Sequence, residues 1–129
     1  MKAACFCVWL GNFKNILTSL HKILQMTSAI VYQGHLRTSA THLQSSISIE
    51  TDAPTDNQGK GERFSPTDLL ATSLGSCMMT IMGIKARDMN IDLTGVRLDV
   101  QKHMKSDPRR VGGIDVTFHF PPDLRLDEK

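Results

Sequence analysis

One stretch constrains what this chain can fold into more than any other: the apolar run FSPTDLLATSLGSCMMTIMGIKARDM at residues 64–89. Its first residues carry the signals of a helix start. Ser65 is a common N-cap residue, Pro66 suits the first helical position, and Asp68 follows Ser65 by three residues. This spacing is that of a capping box with Asp in place of Glu. The sequence therefore predicts a long helix that begins at Ser65 and Pro66.

The body of this predicted helix is apolar on nearly every side. Its apolar residues are Leu69, Leu70, Leu74, Met78, Ile81, Met82 and Ile84. Charge appears only near the end, at Lys85, Arg87 and Asp88, which predicts a buried central helix with a solvated C-terminus. Gly75 and Gly83 each cost about 1 kcal/mol relative to Ala inside a helix. We therefore expect another backbone, from a sheet or a second subunit, to approach the helix closely at both glycines.

Segments of alternating apolar and polar residues flank the helix. AIVYQGHLR (29–37) and HLQSSISIE (42–50) precede it, and VRLDVQKHM (96–104) and GGIDVTFHF (112–120) follow it. This alternation predicts half-buried strands, and the polar, glycine-rich segment 51–64 predicts a loop before the helix. The predicted element order is ββαββ, an α+β fold in which an antiparallel sheet packs on one long helix.

Composition narrows the classes of partner. The 129 residues carry a formal net charge of +2, and only 5% of them are aromatic. Because basic and acidic residues are interleaved without a polybasic block, we expect no nucleic-acid partner. The apolar run at the N-terminus is too short to span a bilayer, and we expect no membrane partner.

The cysteines and histidines indicate no metal site. Three cysteines, Cys5, Cys7 and Cys77, form an odd number without a C-x-x-C pair, which argues against a disulfide framework and a structural zinc site. A reducing, cytoplasmic compartment fits them better. The histidines lack the spacing of metal ligands, so we expect neither a metal nor another cofactor. They are His21, His35, His42, His103 and His119.

The first 25 residues differ in character from the rest, and three interpretations of them stay open. They are a non-native start with Met26 as the real beginning, a short amphipathic helical extension, or a weak targeting leader whose early polar residues depart from a signal peptide. Residues 26–129 form the predicted domain. Cys5 and Cys7 are interpreted as incidental.

Cys77 lies inside the predicted helix, and its residue type allows two roles. A free cysteine in an apolar helix is usually a small core residue. A catalytic thiol needs a lowered pKa, and Cys77 is too far from the helix start for the N-terminal amides to supply it. The activating cation would have to come from elsewhere in the fold. The candidates are Arg37, Arg63, Arg109 and Arg110.

Three segments resemble the OsmC/Ohr family of osmotically inducible and organic hydroperoxide resistance proteins. They are YQGHLRTSATH (32–42), TDAPTDNQGKGERFSPTDLLATSLGSCMMTIM (51–82) and KHMKSDPRRVGGIDVTFHFP (102–121). The most specific part is the run S-P-x-[DE]-L-L-x-x-x-L-G-x-C at residues 65–77. The resemblance implies an α+β fold and an intertwined homodimer in which long central helices pack together. It also implies that a cysteine on that helix attacks the O–O bond of an organic hydroperoxide and becomes a sulfenic acid.

Carried over by position, the resemblance makes Cys77 the peroxidatic cysteine and Arg37 the residue that stabilises its thiolate. Two departures weaken the match. The family's glutamate that holds this arginine falls on Thr67, and Asp68 or Glu62 are its only neighbouring substitutes. The family's resolving cysteine lies beyond the end of this sequence, so the resemblance implies a domain truncated at its C-terminus that would use an external thiol reductant. The alternative is a non-catalytic binding or remnant protein in which Cys77 is a core residue.

Overall fold

A computed structural model describes residues 26–122 and residue 124. The interpretations of residues 1–25, including Cys5 and Cys7, lie outside these described residues. The chain divides into two compact units, with the boundary between Thr51 and Asp52.

The first unit is built on a three-stranded sheet. Its strands are β1 (Ser28–Gly34), β2 (Arg37–His42) and β3 (Ser48–Asp52), in the order β1-β2-β3. β1 and β2 are antiparallel, with Gly34 opposite Arg37. Between them His35 and Leu36 have φ angles of 51° and 62°, as a two-residue hairpin turn requires. Within the described residues three strands therefore precede the helix, one more than in the predicted ββαββ order. The turn escaped prediction because His and Leu rarely adopt positive φ and no Asn-Gly or Asp-Gly pair marks it.

The second unit contains the long helix and a two-stranded antiparallel sheet. α1 spans Pro66–Asp88, β4 spans Arg97–Ser106 and β5 spans Arg109–His119. Along β4, Leu98 and Val100 are half-buried while Arg97 and Asp99 are exposed, which confirms the predicted alternation. The half-buried side of this hairpin packs against α1.

Both ends of α1 are fixed by local hydrogen bonds. At the start, Ser65 Oγ accepts from the backbone N–H of Asp68, and Asp68 Oδ2 accepts from the N–H of Ser65. This confirms the predicted capping box. At the other end, Asn90 has a φ of 57°, and the N–H of Ile91 donates to the carbonyl of Ala86 at 2.9 Å. These contacts form a Schellman-type cap, which ends the helix at its solvated terminus.

The glycines of α1 have different surroundings. A Cβ on Gly75 would lie 2.9 Å from Val100 Cγ2 and 3.6 Å from Leu98 Cδ2. The close approach expected at Gly75 is therefore present, although side chains of β4 make it rather than its backbone. A Cβ on Gly83 would meet no described atom within 4 Å. Within the described chain no neighbour approaches Gly83, and the approach of a second subunit there stays a prediction.

Most of α1 is exposed. Only Ala71, Gly75 and Ala86 are buried, so the predicted burial of α1 is not reached within the single chain. The reason is that, within the described part of the second unit, only the two strands β4 and β5 pack against the helix, and they cover one face. By length and composition α1 is also apolar enough to cross a membrane, a test that core helices of soluble proteins pass as well.

The segment before α1 is a compact loop, as predicted, although it begins after Asp52. The N–H of Asp52 donates to the carbonyl of Phe64 at 3.2 Å, which brings the two ends of the loop together. A short 3-10 turn, Thr55–Asn57, lies inside it. A side chain on Gly59 would overlap the carbonyl of Ala53, so the loop requires glycine there.

Candidate active site

Cys77 lies in the middle of α1, and its side chain is exposed. Four large apolar residues are exposed on the same side of the helix at spacings of three and four residues, which places them on one face. We call these five residues the exposed stripe: Leu70, Leu74, Cys77, Ile81 and Ile84. The apolar members are 41% to 63% exposed. The thiol is therefore accessible in the single chain and flanked along the helix by the apolar side chains of the exposed stripe.

The helix itself brings no charge to the thiol. The residues three and four positions away from Cys77 are Ser73, Leu74, Thr80 and Ile81, and none of them is ionisable. Ser65 at the helix start is about 18 Å away along the axis at 1.5 Å per residue. Stabilisation of a Cys77 thiolate must therefore come from a residue outside α1.

Arg37, the predicted partner of the thiolate, is the first residue of β2 and is half-buried. It belongs to the first unit, whereas Cys77 belongs to the second. The structure describes each residue within its own unit, and the pairing of Arg37 with Cys77 stays a prediction.

The other candidate arginines have contacts at the surface. Arg109 donates through Nη2 to both carboxylate oxygens of Asp56, at 3.2 and 3.1 Å. Arg110 donates to the carbonyls of Asp107 and Pro108 in the β4–β5 turn. Arg63 donates to the carbonyl of Glu62 at 3.0 Å. Arg109 and Arg110 therefore both make contacts at the surface of the second unit.

A polar cluster at the helix start was missed by the sequence analysis. Lys102 projects from β4 with a side chain that is only 20% exposed. Its Nζ lies 2.6 Å from Asp68 Oδ1 and donates to Thr67 Oγ1 at 2.8 Å and Ser65 Oγ at 3.0 Å. Three contacts match the three hydrogens of an ammonium group. The only sequence signal was a lysine on the half-buried side of β4, which is otherwise apolar.

Asp68 is held as a carboxylate by this cluster. Partial burial raises its pKa, but the hydrogen bonds from Lys102 and Ser65 and the charge of Lys102 outweigh burial, so the pKa of Asp68 is lowered overall. Its Oδ1 contacts Lys102, and its Oδ2 accepts from the N–H and the hydroxyl of Ser65. Both oxygens are thus committed inside the cluster. Thr67, at the position where the resemblance places a glutamate, contacts the same ammonium group.

Two histidines lie on the exposed face of the β4–β5 hairpin. His103 Nε2 lies 2.6 Å from Asp115 Oδ2, and His119 Nε2 lies 2.7 Å from Asp99 Oδ2. Each pair joins one strand to the other, as cross-strand surface pairs do. Within residues 26–122 and 124, no group of three or more potential metal ligands comes together.

A groove of about 670 Å³ lies at the C-terminal end of α1, between the helix and the segment 90–94. Gly83, Ala86 and Arg87 form its helix side. Cys77 does not line this groove, which is therefore separate from the candidate nucleophile.

Comparison with known proteins identifies the family. The profile of the OsmC family, described as OsmC-like protein, matches residues 59–129, more than half of the chain. A crystal structure from Psychrobacter arcticus 273-4 is 61% identical in sequence with a TM-score of 0.75, and the match covers 79% of this chain and 74% of that one. That protein is provisionally assigned as osmotic-stress-induced and as part of a detoxification response. No curated protein matches the chain significantly. The antiparallel strands and the long helix α1 form an OsmC-like α+β fold, and the chain belongs to the OsmC-like protein family.

Proposed function

We propose that this protein is a thiol-dependent peroxidase that reduces organic hydroperoxides in a stress or detoxification response, with Cys77 as its nucleophile. The observation that carries the proposal is the exposure of Cys77 within the S-P-x-[DE]-L-L-x-x-x-L-G-x-C run of an OsmC-like chain. A peroxide can reach this thiol in the single chain. The detoxification role provisionally assigned to the P. arcticus protein supports the same class of function.

The chemistry is a two-electron oxidation of sulfur. The Cys77 thiolate attacks the terminal oxygen of R–O–O–H, so that an S–O bond forms and the O–O bond breaks. The alkoxide leaves, takes a proton and becomes the alcohol R–OH. Cys77 is oxidised to a sulfenic acid while the peroxide is reduced. Only the thiolate is nucleophilic enough for this step, so the rate depends on the fraction of Cys77 that is present as thiolate.

Arg37 is the proposed source of that activation. A guanidinium near Cys77 would favour the thiolate and hydrogen-bond to the peroxide oxygens as charge develops on them. The carboxylate that would orient this arginine has no clear counterpart here. Thr67 carries no charge, and both oxygens of Asp68 contact Lys102 or Ser65. We therefore expect weaker thiolate stabilisation here than in family members that carry the glutamate.

An external thiol is the proposed reductant. Within the described residues, Cys77 is the one cysteine, so no second described thiol can condense with its sulfenic acid. An external thiol would attack the sulfur of Cys77, release water and form a mixed disulfide, which a second thiol would reopen. The proposed cycle needs two thiol equivalents for each peroxide.

The proposed substrates are organic hydroperoxides because Cys77 lies between apolar side chains of the exposed stripe. Leu74 and Ile81 flank the thiol on the exposed stripe and are 41% and 63% exposed. An alkyl or aryl group would gain from contact with these side chains, at about 25 cal/mol for each Å² of apolar surface buried. Hydrogen peroxide has no such group. The proposal predicts faster oxidation by cumene hydroperoxide than by hydrogen peroxide at equal concentration.

A homodimer in the cytoplasm is the proposed state of the protein. The exposed stripe repeats at alternating spacings of four and three residues, which is the pattern of a helix–helix seam. A stable interface buries about 800 Å² on each partner. The four partly exposed apolar side chains of the stripe offer less surface than that. Surface beyond the stripe would therefore have to contribute to the dimer.

The non-catalytic alternative also has an observation in its favour. Lys102 contacts the hydroxyl of Thr67 and the carboxylate of Asp68, so the helix start contains a structural ion pair where the resemblance places a catalytic support. In that case Cys77 would be a packing residue in a dimer or a ligand-holding protein.

Alkylation kinetics separate the two functions. The rate of iodoacetamide reaction with Cys77 is measured between pH 5 and 9, in a Cys5→Ser/Cys7→Ser background that leaves Cys77 as the one thiol. The peroxidase proposal predicts rapid alkylation of Cys77 below neutral pH, slowed in Arg37→Gln. Arg110→Gln is the matched control, because Arg110 contacts only turn carbonyls among its described hydrogen bonds. A folded protein whose Cys77 reacts only on unfolding would favour the non-catalytic alternative.

A further inference from the structure

We draw no further inference here: the strongest candidate, the exposed apolar stripe of α1 around Cys77, belongs to the site already described, and nothing in the structure shows what covers it.

Discussion

The two glycines inside α1 offer a sharp test of how the helix packs on the hairpin. In Gly75→Ala, the added methyl would lie 2.9 Å from Val100 Cγ2, closer than the usual carbon–carbon contact of about 3.5–4.0 Å. Val100 cannot yield easily, because rotation about χ1 is restricted in a β-branched side chain. In Gly83→Ala, the methyl would meet no described atom within 4 Å. The two variants therefore add the same methyl group, which contacts β4 at position 75 and meets open space at position 83.

Helix propensity and crowding change the free energy of unfolding in opposite directions. Each substitution gains about 1 kcal/mol from the higher helix propensity of Ala. Crowding at Val100 costs about 1–3 kcal/mol, the usual range for an overpacked site. Gly75→Ala should therefore lower the free energy of unfolding by up to about 2 kcal/mol, whereas Gly83→Ala should raise it by up to about 1 kcal/mol. At about 4–8 °C per kcal/mol for a domain of this size, the two variants should differ in Tm by several degrees.

Thermal and urea unfolding of both variants, followed by circular dichroism, measure this difference. Protein concentration is held constant, because association would change the apparent stability. The packing of α1 on β4 is contradicted if Gly75→Ala is as stable as Gly83→Ala. A loss of stability in Gly83→Ala that depends on protein concentration would indicate that a second copy covers the open side of the helix.

Three further predictions concern the contacts of the second unit. Lys102→Met should lower the free energy of unfolding by about 1–2 kcal/mol, because it removes a mostly buried ammonium group that makes charge-assisted hydrogen bonds. Lys102→Arg keeps the charge, so urea titration should show a smaller decrease in the free energy of unfolding for this variant. The pKa of Asp68 is lowered in the folded protein, so its contribution to stability is present above the unfolded value of 3.8 and is lost as pH falls through the folded pKa. Urea unfolding measured between pH 2 and 6 should show this loss, and the loss should be smaller in Lys102→Met. The same pH profile in Lys102→Met and the unchanged protein would count against the ion pair. A double-mutant cycle with Arg109→Ala and Asp56→Ala should give a coupling energy of about 0.2–1 kcal/mol, because both side chains are exposed. A coupling energy above about 2 kcal/mol would contradict this solvent exposure of the pair.

The helix start and the strands after α1 could be predicted because their signals are local. Ser65 and Asp68 are three residues apart, and the hydrogen bonds that they make are the ones their residue types indicate. The alternation along β4 and β5 needs no knowledge of distant residues, since a strand with one covered face must alternate. Both predictions were confirmed for these reasons.

The exposure of α1 could not be predicted from its sequence. An apolar sequence shows that a helix would gain from burial, but it does not show which other element covers the helix. Ala71 and Gly75 face the hairpin, whereas Leu70 and Leu74 are exposed one residue away in sequence. Only the three-dimensional arrangement separates these two faces. The same limit applies to Gly83, where an added Cβ would meet no described atom within 4 Å.

The contacts of Lys102 were missed because they join residues far apart in sequence. Its partners Ser65 and Thr67 lie 37 and 35 positions earlier, and no local pattern relates a strand lysine to a helix N-cap. In contrast, Cys77 could be selected from the sequence because it stands inside a specific run of residues that begins at Ser65. Its chemistry and its pairing with Arg37 remain predictions that solution experiments must test.

Direct trapping of the oxidised thiol is the measurement that tests the central proposal. Reduced protein is treated with one equivalent of cumene hydroperoxide in the presence of dimedone, and the adduct is located by peptide mass spectrometry, with Cys77→Ser and Cys5→Ser/Cys7→Ser as controls. The proposal predicts a rapid dimedone adduct on Cys77, retained in the double variant and absent in Cys77→Ser. A protein that is folded by circular dichroism and forms no adduct at Cys77 would contradict it.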